Sequence, residues 1–194
     1  MRTRLFIVVA LCALAAAQNI AEGKTPADCS GVDPQNQTPL KPWTRPALGA
    51  CSVQTKTVEG VQYTLPDPTC TPGAVNTTVT AAILGRSGFR TTCIRNRASS
   101  QAGKRVVYEW YGIAKPHPGC TLDHLVPLEL GGADTLDNLW PQCAPEGASV
   151  DQKDWVENDL AAQVRAGVKP LGEAQAGIAA DWTAYLPQAV AHRR

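Results

Sequence analysis

Four side chains that could act in catalysis or metal binding lie between positions 123 and 151. Asp123 and His124 are adjacent, Asn138 lies in a turn-rich segment, and Asp151 begins a segment with helical character. A histidine can take a proton from water near neutral pH. Mg²⁺ binds through one or two carboxylates and keeps several waters. Neighbouring side chains of an extended chain point to opposite sides, so Asp123 can hold a metal while His124 acts as a base. Together they suit hydrolysis of a phosphodiester, which needs a nucleophilic water and positive charge on the phosphate.

Each of these residues also has a simpler interpretation. An Asp-His pair is often only a local hydrogen bond, an Asn in a turn commonly bonds the backbone of that turn, and Asp151 stands where a helix cap is favoured. His117 is a further candidate to approach a phosphate, although its flanking prolines place it on an exposed turn. The order of the pieces, more than any single residue, therefore indicates a site.

The segment that joins these residues carries a distinctive series of motifs. After the Asp-His pair come Pro127, the Gly131-Gly132 turn and Asn138-Leu139, in that order. This series resembles the HNH (ββα-metal) endonuclease motif, and the chain is also similar to a group of exported bacterial HNH-like proteins. The stretches that carry the second resemblance are Cys70 to Ala74, Tyr111 to Ile113, Asp123 to Gly132, Asn138 to Pro141, Lys153 to Asn158 and Ala174 to Trp182. The resemblance covers about residues 70 to 183.

The resemblance implies an α+β fold with a ββα-metal core, C-terminal helices and a disulfide-stabilised N-terminal region. It also implies that His124 is the general base, Asp123 a metal ligand and Asn138 the residue that orients the loop carrying His124. Asp151 would be the last metal ligand, where the family usually has His or Asn. The implied cofactor is a divalent metal, Mg²⁺ first and Mn²⁺ as an alternative. The cysteines stand at other positions than in the family, so its disulfide pattern cannot be transferred.

Basic residues are concentrated on one side of this motif. No acidic residue occurs from Pro68 to Tyr108. Such a stretch is commonly a solvated face, but beside a phosphodiesterase site it can also meet phosphates. The candidates for substrate binding are Arg86, Arg90, Arg95, Arg97, Lys104 and Arg105.

The N-terminus and the cysteines indicate export. Two arginines precede an apolar run and three alanines, which predicts a signal peptide over residues 1–17 and a mature start near Gln18, secreted or periplasmic. The mature chain keeps six cysteines, and an even number in an exported protein predicts disulfides. Zinc is disfavoured because no CxxC pair exists. The pairing stays open, since six cysteines allow 15 arrangements.

The remaining pattern predicts the elements. Residues 18–49 are expected to be a proline-rich leader or linker, 50–105 a small β-rich and arginine-rich region, 106–186 the nuclease-like domain, and 187–194 a frayed tail. Alternating residues predict two strands around Glu59-Gly60, and Leu125-Val126 a strand end. Residues 106–113 fit either a strand or a helix. Helices are predicted from Asp151 to Ala166 and from about Leu171.

Three functions are compatible with this sequence. The first is an exported metal-dependent endonuclease that acts on nucleic acid, DNA more than RNA, with little sequence specificity because no base-reading element is evident. The second is a non-catalytic module on the same scaffold that binds nucleic acid or an envelope partner. The third is a disulfide-stabilised structural protein. The set of Asp123, His124 and Asn138 favours the first.

Overall fold

The structure is a computed structural model that describes residues 26–96, 101–114, 119–143 and 151–193, with only the backbone of residues 101 and 102. It is a mixed α+β arrangement of small antiparallel sheets and helices. The strands are β1 (Gln37–Pro39), β2 (Gln54–Val58), β3 (Val61–Leu65), β4 (Ala74–Asn76), β5 (Cys120–His124) and β6 (Leu139–Cys143). The helices are α1 (Ala81–Leu84), α2 (Gln101–Lys104), α3 (Val106–Trp110), α4 (Asp151–Arg165), α5 (Leu171–Asp181) and α6 (Leu186–His192). The predicted signal peptide lies outside the described residues.

The β2–β3 hairpin forms where the alternating pattern predicted it. Its turn places Glu59 at φ 50° and Gly60 at φ 81°, the left-handed conformation that a tight two-residue hairpin turn requires. On β3 the side chain of Tyr63 is buried and meets the ring of Trp182 edge to face at 5.6 Å. The Trp182 indole N–H also donates to the Thr64 carbonyl at 3.0 Å, which attaches the hairpin to the C-terminal helices.

The proline-rich leader is part of the fold over its described residues. Strand β1 pairs antiparallel with β4, and a disulfide joins Cys29 to Cys93. Strand β4 continues this contact toward the motif, since Val75 forms a bridge with Gly132. The leader therefore contributes to the support of the loop between β5 and β6.

The C-terminal helices close the larger core. One face of α4 buries Val156, Leu160, Ala161 and Val164, spaced as a helix requires, so the predicted helix is confirmed with its end at Arg165. Helix α5 is confirmed as well. The predicted frayed tail is wrong for residues 187–192, because α6 buries Leu186 and Ala189 against the helices before it.

Aromatic side chains fill a second core around α3. Of the two predicted alternatives for this segment, strand or helix, residues 106–110 form a helix. The helix buries Val107 and Trp110 on one face. These side chains pack with Trp140 of β6 and with the disulfide that joins Cys51 to Cys70. The second core thus lies behind the strand that carries the end of the motif.

Strands β5 and β6 form a hairpin whose long connection holds most of the motif. The third disulfide, Cys120–Cys143, closes its open end, so all six cysteines of the predicted mature chain are paired. The expected strand at Leu125-Val126 is wrong, because the ladder ends at His124 and the chain turns into the connection. Gly132 is required there, since a Cβ would lie 1.8 Å from the Val126 carbonyl oxygen. Among the described residues no helix is long and apolar enough to cross a membrane.

Candidate functional site

The side chain of Asn138 holds the connection between β5 and β6 in shape. It is fully buried, and its Oδ1 accepts from the backbone N–H groups of Ala74 (3.2 Å) and Val126 (2.9 Å). Its Nδ2 donates to the carbonyls of Val126 (2.9 Å) and Ala133 (2.8 Å). These are bonds of the kind expected for an asparagine that fixes a loop. One amide therefore joins both ends of the turn to strand β4.

His124 is the last residue of β5, and both its ring and its backbone are held. Ring atom Nε2 lies 2.9 Å from Asp134 Oδ1, and 14% of the side chain is exposed. The backbone carbonyl accepts a hydrogen bond from Lys153 Nζ at 2.8 Å. The ring consequently has one nitrogen tied to the interior, and His124 lines a cleft.

Asp134 is a buried carboxylate that the sequence did not single out. Besides His124, it binds Lys104 Nζ at 2.5 Å and accepts from the Asn96 backbone N–H at 3.0 Å. Burial alone would raise the pKa of Asp134, but hydrogen bonds from His124 and Lys104 and their charges hold it well below its usual range. Asp134 is thus ionised at neutral pH.

Lys153 occupies the space between β5 and α4. Its side chain is fully buried, and Nζ lies 2.7 Å from Asp123 Oδ2 and forms an ion pair with Glu157 one helical turn later. Burial lowers the pKa of Lys153, yet the two carboxylates outweigh it and raise the pKa above its usual range. Burial raises the pKa of Glu157; the Lys153 charge opposes this, but the negative charge of Asp123 adds to it. The motif Lys153 to Asn158 contained this pair, but its spacing alone did not say that it faces Asp123.

A cleft of about 330 Å³ opens beside these residues. Asp123 and His124 both line it, and so does Arg95 from the arginine-rich region. The acids Glu129 and Glu157 line it as well. Burial raises the pKa of Glu129, and the nearby charge of Asp154 adds to this effect. The cleft therefore combines one guanidinium with several carboxylates, of which Glu129 and Glu157 hold a proton more readily than usual.

Residues proposed as metal ligands are only partly brought together. Asp123 Oδ2 is buried beside the Lys153 ammonium, 2.7 Å from Nζ, while the side chain as a whole is 24% exposed. The exposed part must therefore lie on its other atoms. Asp151 is exposed in the first turn of α4. Over the described ranges, no group of three or more His, Cys, Asp or Glu residues is arranged to hold a metal.

The structure separates the predicted phosphate-binding residues. Arg95 lines the cleft, and Arg105 is exposed at the start of α3. Arg86 donates to the Ser30 carbonyl, and Arg90 to the carbonyls of Ser87 and Phe89. Lys104 does not lie on such a surface, because it is 6% exposed and its ammonium binds Asp134. Arg97 and His117 lie outside the described residues.

Replacing Asn138 is expected to destabilise the protein strongly. Asn138→Ala removes four hydrogen bonds and leaves buried backbone groups without partners, so we expect a loss of about 3–5 kcal/mol in the free energy of unfolding. Asn158→Ala is a matched control, because the exposed Asn158 side chain donates within its own helix to the Asp154 carbonyl, and should change stability by less than about 0.5 kcal/mol. Urea unfolding with intact disulfides measures both; equal losses would contradict the role of Asn138.

Replacing Lys153 is expected to give a pH-dependent loss of stability. Lys153→Met leaves Asp123 and Glu157 uncompensated, which costs about 3–5 kcal/mol. In the wild type the pKa of Glu157 is raised to about 8, and loss of the Lys153 charge, which lowers it, raises it further. The wild type therefore ionises Glu157 as the pH rises through about 8 while the variant keeps it protonated, so the loss should be larger near pH 9 than near pH 6. Lys56→Met, which breaks a half-exposed pair with Asp181, should cost about 0–1 kcal/mol at either pH. A loss that is independent of pH would contradict this account of Glu157.

Comparison with known proteins does not identify this site. No family model, no curated protein and no solved structure matches the chain. Within the described residues, a strand, a looped connection, a second strand and a helix hold Asp123 and His124 at one cleft.

Proposed function

We propose that this protein is an exported, metal-dependent endonuclease of the HNH type that hydrolyses phosphodiester bonds of nucleic acid, DNA more than RNA. The observation that carries the proposal is the cleft in which Asp123, His124 and Arg95 meet. The order of β5, β6 and α4, with Asn138 bonding the connection, is the order expected of a ββα-metal core. The three disulfides agree with an exported protein.

His124 is assigned the proton transfer. His124 lines the cleft and its ring is held at Nε2 by an ionised carboxylate, so the ring is oriented and is assigned the proton of a water in the cleft. Arg95 is assigned the phosphate, because a guanidinium can form two parallel hydrogen bonds with phosphate oxygens. These two side chains would align the water with the phosphorus.

A divalent cation fits this site in a limited way. Asp123 keeps exposed atoms besides the buried Oδ2, and Mg²⁺ can be held by one carboxylate and retained waters. Such an ion, Mg²⁺ or Mn²⁺, would supply charge to stabilise the phosphate and the leaving oxygen. Asp151 remains the proposed second ligand. The ion would be held weakly, because Lys153 already neutralises part of the Asp123 charge.

Binding without cleavage is the second candidate. Its support is the buried ammonium of Lys153, which contacts Asp123 on the side where a cation could otherwise bind. In this case the cleft and Arg95 would hold a phosphate backbone, but the chain would not cut it. The two candidates differ in whether His124 is needed for product formation.

Cleavage of plasmid DNA should depend on His124. His124→Ala should lower the rate by about 10²–10⁴, the usual contribution of acid–base catalysis, while EDTA should stop the wild-type reaction and Mg²⁺ or Mn²⁺ should restore it. His192→Ala is the matched control, since His192 is 53% exposed and pairs with Asp159. Gel assays of nicked and linear plasmid measure this.

The same plasmid assay tests Asp123 and Asp151 one at a time as metal ligands. Asp123→Ala should remove activity or shift the metal titration to higher concentrations, and Asp151→Ala should do so only if Asp151 is a ligand. Equal rates for wild type and His124→Ala would rule out the catalytic role. DNA binding with no metal-dependent cleavage in the wild type would favour the binding module.

DNA binding should depend on Arg95 more than on a lysine far from the cleft. Arg95→Glu should weaken binding in EDTA to all sequences alike and flatten the log–log salt slope by about 0.9, the value for one lost phosphate contact on duplex DNA. Lys41→Glu is the control, because Lys41 is exposed and lines a separate cleft near Pro42. Fluorescence anisotropy at several salt concentrations measures both slopes. Identical slopes for Arg95→Glu and wild type would place the phosphate-contacting surface elsewhere.

A further inference from the structure

We propose that Asp134 is a positioning residue that keeps the proton of the neutral His124 ring on Nε2, so that Nδ1 is the atom that accepts the proton of the attacking water. This inference rests on the proposed nuclease function for its catalytic meaning. Its structural part, the choice of ring nitrogen, stands on the contacts of Asp134 alone. An ionised carboxylate can only accept hydrogen bonds. The hydrogen between Nε2 and Oδ1, 2.9 Å apart, therefore belongs to the ring.

Asp134 is built to remain ionised and immobile. It is 1% exposed, its Oδ1 also binds Lys104, and its Oδ2 accepts from the backbone of Asn96 at 3.0 Å. The ammonium of Lys104 is itself buried, so this charge pair is shielded from solvent and from salt. The Lys104 ammonium and the Asn96 N–H can only donate hydrogen bonds. Neither therefore offers an acceptor that competes with the carboxylate for the hydrogen on His124 Nε2.

The backbone that precedes Asp134, at Gly132 and Ala133, is held by hydrogen bonds. The Ala133 N–H donates to the Ala74 carbonyl at 2.9 Å, and the Ala133 carbonyl accepts from Asn138 Nδ2 at 2.8 Å. Gly132 bridges to Val75 of β4. The carboxylate is thus carried by a loop that Asn138 and β4 hold, and it reaches back over ten residues to His124.

The arginine-rich region also helps to hold Asp134 in place. Lys104 at the end of α2 and Asn96 come from that region, and both contact Asp134 rather than the cleft. The ring of His124 is consequently positioned from two directions, by Asp134 at Nε2 and by the Lys153 bond to its own carbonyl. Such an oriented imidazole needs no rearrangement before it accepts a proton.

The tautomer can be read directly by NMR. In protein labelled with ¹⁵N-histidine at a pH where the rings are neutral, we expect His124 to show a protonated Nε2 and an unprotonated Nδ1, with the signal assigned by comparison with His124→Ala. Asp134→Asn can turn its amide N–H toward Nε2, so the Nδ1-protonated form should increase. In cleavage assays kcat should fall by about 10²–10⁴ with little change in KM, because an incorrect tautomer removes the base without removing phosphate contacts.

Controls separate positioning from folding. Lys104→Met keeps the carboxylate beside His124 and should keep the Nε2-protonated form even if stability falls. If Asp134→Asn does not fold because Lys104 is left unpaired, the double variant Asp134→Asn with Lys104→Gln removes both charges and should show the same tautomer change and the same loss of kcat. A wild-type His124 protonated at Nδ1 would overturn the proposal, as would an unchanged tautomer in the folded Asn variants. An Asp134-dependent tautomer in a chain that never cleaves DNA would retain the positioning and reject the nuclease.

Discussion

The buried amide of Asn138 is the interaction on which the geometry of the cleft depends. An asparagine side chain offers two donors and two acceptor lone pairs, and here it bonds Ala74 and Val126 through its oxygen and Val126 and Ala133 through its nitrogen. The connection between β5 and β6 has little regular structure of its own. Without this amide its buried backbone groups would lack partners, and His124 and Asp134 would lose their fixed separation.

Two buried lysines complete the site. Lys104 compensates Asp134, and Lys153 compensates Asp123 and Glu157. Burying charges is costly, and such pairs add little to stability compared with apolar residues of similar size. Their use here is better explained by orientation, because each lysine ties a carboxylate or a carbonyl next to His124 to a distant part of the chain.

Segments outside the motif support its structure. The leader strand β1 supports β4, and β4 in turn supports the Gly132 turn through Val75. The arginine-rich region supplies Lys104 to the interior and Arg95 to the cleft. A basic stretch in a sequence can thus divide its members between internal ion pairs and a binding surface, and burial decides which member does which.

Local sequence pattern was enough to predict several of the elements. The hairpin around Glu59-Gly60, the helices that begin at Asp151 and Leu171, and the presence of disulfides all followed from periodicity, turn chemistry and an even number of cysteines. The pairing of those cysteines and the helix that begins at Leu186 became visible only in the folded chain. The tertiary structure also decided the partners of the charged groups, since Asp134 meets Lys104 across 30 residues and Lys153 binds the carbonyl of His124 across 29. Sequence pattern reports which face of an element is apolar, whereas a buried ion pair depends on which distant elements the packed core brings together.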